Sequence, residues 1–250
     1  MPVLLFNLSK EAKSMKNIFI TTILLFVLTF GCKSEEMELP QNNQTNNNFP
    51  AHSYLALGDS YTIGQGVAEN QRYPVQLKDS LLRHGIDLNP VTIIARTGWT
   101  TDELSVAIDG ATLNPPYDLV TLLIGVNNQY RGRTPENYRP EFVALLQQSI
   151  DFAGGNNERV IVLSIPDWGV TPFAHGRDRE QIAREIDAFN AVNKEEAEKA
   201  GVAWIDVTAI SREAATRPEL LAPDNLHPSG LMYSYWVKDM LPIVLEILSE

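Results

Sequence analysis

One cysteine, Cys32, stands in a chain of 250 residues, so no disulfide can close within it. A surplus of positive charge is missing too. Acidic residues number 31 against 20 basic ones, for a formal net charge of −11, which makes the chain a poor electrostatic partner for nucleic acid and leaves no basic face to draw it to anionic lipid. No apolar run reaches the roughly 20 residues that a membrane-spanning helix needs. The run Ile18 to Phe30 falls short of it. Internal repeats are absent as well, which sets aside solenoids and propellers.

What is present divides the chain in three. Met15-Lys16-Asn17 and the apolar run Ile18 to Phe30 have the layout of a signal peptide, and Gly31-Cys32 follows directly. The arrangement resembles a bacterial lipoprotein signal, which implies cleavage before Cys32 and a diacylglyceride on its thiol. Residues 1–31 are accordingly expected to be removed, with Met15 as the expected translation start, because Met1 to Ser14 add an acidic residue and a second apolar patch ahead of a complete signal. Residues 32–50 are polar, with Gln41 to Asn48 almost wholly Asn and Gln, and read as a tether. The Glu35-Glu36 pair looks like the export signal of surface lipoproteins of the Bacteroidetes type. Attachment to a membrane through Cys32, at the outer membrane or surface of a Gram-negative bacterium, is the expected location.

Residues 51–250 alternate between short apolar runs and helical periodicity. Tyr54 to Leu57, Val91 to Ala95, Leu119 to Ile124, Val160 to Ile165 and Val202 to Val207 read as strands. Between them Arg72 to His84, Thr100 to Ile108, Arg139 to Ala153 and Asp178 to Ala200 read as helices, and another runs from about Ser229 onward. Strands apolar on both faces and separated by helices imply an α/β domain with a parallel sheet of about five strands covered on both sides.

In such a sheet the loops after successive strands gather at one edge. Gly58-Asp59-Ser60 ends the first strand, Arg96-Thr97-Gly98-Trp99 follows the second and Gly125-Val126-Asn127-Asn128 the third, while Asp224-Asn225-Leu226-His227 precedes the last helix. These are the parts that acyl transfer needs. Ser60 is the candidate nucleophile and His227 the base that takes its proton, with Asp224 fixing the imidazole tautomer. The Ser60 and Gly98 amides and the Asn127 side chain are candidate donors to the oxyanion. Each residue type also serves in ordinary turns, so the weight rests on the four segments taken together.

Those four segments resemble the GDSL or SGNH hydrolase family, whose Ser, Gly, Asn and His are matched by Ser60, Gly98, Asn127 and His227, with Asp224 three residues before the histidine. The resemblance covers roughly Tyr54 to the end. It implies a flavodoxin-like three-layer α/β/α sandwich and hydrolysis of esters or thioesters without a metal or cofactor. One departure stands out: Asn128 occupies the place where the family's third segment usually has Asp, for which altered loop packing is the expected consequence.

The expected protein is a serine esterase acting through an acyl-enzyme, most naturally on short-acyl esters of carbohydrates or small alcohols, and as a monomer. A lysophospholipase or thioesterase for longer chains stays open, as does a glycan-binding lipoprotein that keeps the fold without the activity. A flavin-binding module is weaker, since Gly58-Asp59-Ser60 lacks a run of small hydroxyl residues to cradle a phosphate. Trp99, Tyr130 and Trp168 are candidates for stacking on a sugar or lining an acyl groove, and Arg131 and Arg133 for holding an anionic group, against the plainer reading that all five serve packing and surface charge. His175 is a competing base without an acid at fixed spacing. Asp224 and His227 as metal ligands lack a third partner.

Overall fold

The computed structural model describes residues 51–249. The expected signal peptide, Cys32 and the expected tether lie outside the described residues. Five strands, β1 (Ala51–Gly58), β2 (Asp87–Ala95), β3 (Leu119–Leu123), β4 (Val160–Leu163) and β5 (Ala203–Ile205), form one sheet in the order β2-β1-β3-β4-β5. Every pairing is parallel. The order is the flavodoxin-like one, and it reverses direction between β1 and β3, the place where open α/β sheets bind their ligands.

The helices are α1 (Ser60–Ile63), α2 (Tyr73–Leu82), α3 (Thr101–Asp109), α4 (Val126–Tyr130), α5 (Pro135–Phe152), α6 (Arg179–Lys199), α7 (Thr208–Arg212) and α8 (Gly230–Leu248). Helices α2 and α8 pack together on one face of the sheet, while α3 packs on α5 and α5 on α6 on the other. The expected three-layer sandwich with a five-stranded parallel sheet is therefore what the chain forms. Its strands are apolar because both faces are covered: β3 and β4 are buried from end to end.

Sequence chemistry sets the helix ends. Thr134 accepts the Asn137 amide and Pro135 takes the first turn, so α5 starts four residues before the expected Arg139. Pro140 gives up one backbone rung inside it without ending it. Asp178 caps α6 by accepting the Gln181 amide at 2.9 Å, and Ser229 caps α8. The short helices α1, α4 and α7 were not expected from the sequence, since four or five residues show no helical period.

A buried set of tyrosines supports the strand that carries the nucleophile. The hydroxyls of Tyr54 and Tyr73 lie 2.9 and 3.1 Å from Thr121 Oγ1 on β3. Tyr233 of α8 donates to the Tyr61 carbonyl at 2.8 Å, which fixes α1 from below. Each hydroxyl thus has a partner, as buried polar groups require.

Candidate active site

Ser60 is the first residue of α1, directly past the end of β1. Its amide has no intrahelical partner by position. The preceding Asp59 uses Oδ1 to accept the Tyr61 amide at 3.0 Å, leaving the Ser60 N–H and the Ser60 hydroxyl without a hydrogen bond to the described residues. The other oxygen of Asp59, Oδ2, is buried without a partner. Burial pushes the Asp59 carboxyl up to about 7, more than its backbone hydrogen bonds pull it down.

The candidate acid and base come from one turn. Asp224 Oδ1 accepts the amides of Leu226 and His227, both at 3.0 Å, and Oδ2 lies 2.7 Å from His227 Nδ1. Partial burial raises the Asp224 pKa, but the imidazole and the two amides outweigh it and hold the carboxyl below the ordinary aspartate range. The turn is closed by an antiparallel bridge between Leu221 and Pro228 and by the Ala222 amide donating to the His227 carbonyl at 2.7 Å. With Nδ1 committed to Asp224, Nε2 is the nitrogen left to exchange a proton with Ser60. No hydrogen bond joins the two among the described residues, and such contacts often tighten only when substrate is bound.

Gly66 makes this turn possible and was not singled out from the sequence. A Cβ there would lie 2.9 Å from Asp224 Oδ2 and 3.0 Å from Ala222, and the residue has φ of +85°. The Gly64-x-Gly66 spacing just after the serine was the available signal.

Two further donors meet the serine. Gly98 has φ of +90°, in the region that favours glycine, and its N–H has no partner among the described residues. Asn127, in the first turn of α4, donates from Nδ2 to the Trp99 carbonyl at 2.9 Å. That bond uses one of two amide hydrogens and leaves the other for a ligand.

The oxyanion side is braced from behind. Arg131 donates to the Gly98 carbonyl at 2.6 Å and to both oxygens of Glu103, while its own amide donates to the Asn127 carbonyl at 3.1 Å. It therefore ties the Gly98 loop to α4. Asn128, fully buried, accepts the Thr101 amide at 3.1 Å and donates to Thr101 Oγ1 at 2.6 Å and to Glu141 at 3.4 Å. Thr101 Oγ1 also donates to Glu141. An aspartate at 128 would set a second carboxylate against Glu141, so the amide fits this neighbour. Arg133 pairs with Asp102 and Glu141 at 2.8 and 3.2 Å. Neither arginine is thus left to hold an anionic substrate group.

Ser60, Gly98, Asn127 and His227 line one cavity of about 180 Å³, whose other walls include Tyr61, Val126, Tyr130, Trp168, Phe173 and Leu226. Of the three aromatic candidates, Tyr130 and Trp168 face it. Trp99 does not: its side chain packs against the core, and it is its carbonyl that matters, by anchoring Asn127. His175 is exposed and is not in the cavity wall. Phe173, Val126 and Leu226 were missed because an apolar residue outside a periodic run carries no distinguishing mark in a sequence. A larger cavity of about 390 Å³ lies elsewhere, lined by Asn156, Arg159, Gly201 and Ile243 among others, and holds neither serine nor histidine. Among the described residues no group of three His, Cys, Asp or Glu side chains is placed to hold a metal ion, and no helix is long and apolar enough to cross a membrane.

Solved structures with this fold include TesA, 20% identical with a TM-score of 0.62 over 79% of this chain and 100% of that one. The psychrotrophic esterase EstA from Pseudoalteromonas sp. is 16% identical with a TM-score of 0.62, covering 80% of this chain and 100% of that one. The acetylxylan esterase Axe2 from Geobacillus stearothermophilus is 20% identical with a TM-score of 0.59, over 77% of this chain and 94% of that one. A comparison with curated proteins gives no match. The family model described as GDSL-like lipase/acylhydrolase matches residues 56–235, from within β1 into α8 and across all four of the segments that build the cavity. The chain belongs to the GDSL-like lipase/acylhydrolase family and is a serine ester hydrolase.

Proposed function

We propose that the protein hydrolyses short-acyl esters of carbohydrates or small alcohols through an acyl-enzyme on Ser60. The observation that carries this reading is the cavity itself: nucleophile, base and both outer oxyanion donors share a space of about 180 Å³. That is below the roughly 300–1,000 Å³ of pockets that take drug-sized ligands, which suits an acyl group of a few carbons better than a long chain.

Ser60 Oγ attacks the ester carbonyl carbon as its proton passes to His227 Nε2, and Asp224 stabilises the imidazolium that forms. The carbonyl oxygen becomes an oxyanion facing the Ser60 and Gly98 amides and the free Nδ2–H of Asn127. His227 then gives its proton to the leaving alcohol. Water, deprotonated by the same nitrogen, attacks the acyl-enzyme, and the acid departs as Ser60 regains its proton.

Rates of p-nitrophenyl acetate, butyrate and octanoate hydrolysis by the purified protein test this. Acetate and butyrate are expected to exceed octanoate, with turnover and fluorophosphonate labelling lost in Ser60→Ala. Turnover unchanged in Ser60→Ala would remove the mechanism, and octanoate as the best substrate would replace short acyl groups with long ones.

Export is part of the proposal and rests on residues 1–50. Cys32 carries a diacylglyceride that anchors the protein to a membrane of a Gram-negative bacterium. Recovery of Cys32→Ala from the membrane fraction in undiminished amount would exclude that anchor.

A further inference from the structure

A second cleft of about 380 Å³ adjoins the catalytic cavity and shares Tyr130 and Trp168 with it as a common wall. Its far side is built from Arg177, Asp178, Gln181 and Glu185. Nothing in the ester chemistry derived above uses these residues.

A chain of hydrogen bonds links the two spaces. Trp168 donates from Nε1 to Gln129 at 2.8 Å, Gln129 donates to Glu185 Oε2 at 2.7 Å, and Gln181 donates to Glu185 Oε1 at 2.7 Å. The shared indole is held by the residues that line the cleft. Each Glu185 oxygen spends one acceptor site on a glutamine and keeps another. Arg177 lies over the Tyr130 and Trp168 rings, 5.0 and 5.4 Å from their centroids, and donates to the Tyr130 hydroxyl at 3.1 Å. Among the described residues its side chain makes only that hydrogen bond, so most of its five N–H donors are free. Donors and acceptors therefore alternate over a few ångströms. Tyr130 and Phe173, 44% and 45% exposed, add apolar ring surface at the junction of the two spaces.

Building on the short-acyl reading, we propose that this cleft is the subsite for the alcohol half of the ester and that it takes a neutral sugar ring. Vicinal hydroxyls each both donate and accept, which matches interleaved Arg177, Gln181, Asp178 and Glu185. A long-chain alcohol would strand these polar groups without partners. A phosphate or uronate would meet two carboxylates alongside the single arginine, on a protein whose net charge is −11.

The test compares kcat/KM for a mono-O-acetylated methyl pyranoside with that for cyclohexyl acetate, which keeps the six-membered ring and lacks the hydroxyls. A preference of at least about tenfold for the pyranoside is expected, the worth of one good hydrogen bond. Arg177→Ala and Gln181→Ala, both at exposed positions, should each lower that preference by about threefold, toward parity with cyclohexyl acetate. Cyclohexyl acetate as the equal or better substrate would overturn the proposal, as would a preference that neither variant moves or a higher kcat/KM for the corresponding uronate. Ser60-dependent hydrolysis of p-nitrophenyl acetate separates the levels: if it is intact, such a result removes the subsite alone, and if it is absent the esterase reading fails as well.

Discussion

The acid–base half of the site and the oxyanion half are built in different ways. Asp224 and His227 are three residues apart, and one turn with its own hydrogen bonds sets their geometry. The outer oxyanion donors come from Gly98, in the loop after β2, and Asn127, in the first turn of α4 after β3, and are aligned by Thr101, Asn128 and Arg131, none of which lines the cavity. A turn of four residues can be specified locally. A gap between two loops needs bracing from elsewhere in the fold, and each brace is a place where the site can be loosened without being removed.

The largest expected effects separate the halves directly. His227→Ala removes the base and should lower kcat by about 10⁴ or more, since members of such a triad act as a unit. Asn127→Ala removes one oxyanion donor and should lower kcat by about 10² to 10³ with KM little changed. Steady-state kinetics on p-nitrophenyl acetate reads both, and losses of equal size would erase the distinction.

The turn that presents Ser60 carries a hidden charge state of its own. Asp59 is pushed up to about 7 by burial, from 3.8 when exposed. Between pH 4 and 7 the folded protein holds a proton there that the unfolded chain has lost, so this group's contribution to stability falls as pH rises across that window. Asp59→Asn keeps an oxygen to cap Tyr61 and removes the titration. The variant should gain on the parent from pH 4 to 7 by an amount on the order of a few kcal/mol, then stay level. Thermal melting across pH measures the gap, and a gap that does not grow over that range would mean that Asp59 ionises normally.

The smallest effect sharpens the distributed half. Asn128→Asp should cost about 1–2 kcal/mol, roughly 2–8 °C in melting temperature for a chain of this size, because the new carboxylate faces Glu141. Arg133, paired with Glu141 at 3.2 Å, keeps the penalty modest. Adding Glu141→Gln should recover most of it. If the double variant melts no higher than Asn128→Asp, the two positions are not coupled through charge.

The same contrast explains what the sequence disclosed. Apolar strands and amphipathic helices repeat with fixed periods, so the layered sheet could be read from one chain, although Pro140 delayed the reading of α5 and the four- and five-residue helices left no period to find. The contact between Asp224 and His227 was legible because both sit in one short segment. Arg131 and Arg133 looked like surface charge because their partners, Gly98, Glu103, Asp102 and Glu141, come from other parts of the chain. Trp99 drew attention for its ring, yet the backbone beneath it does the work. Gly66 illustrates the converse: what matters there is the absence of a side chain next to Asp224.

Strand β1 sits inside the sheet, paired on both edges, and leads straight into Ser60. Such interior strands open with the whole domain, whereas a turn held by its own bridge and hydrogen bonds, like that of His227, can open locally. On warming, then, activity is expected to fade before the fold melts, as the His227 turn opens beside a Ser60 that stays in place, and to return on cooling; activity and melting followed over one temperature ramp check this.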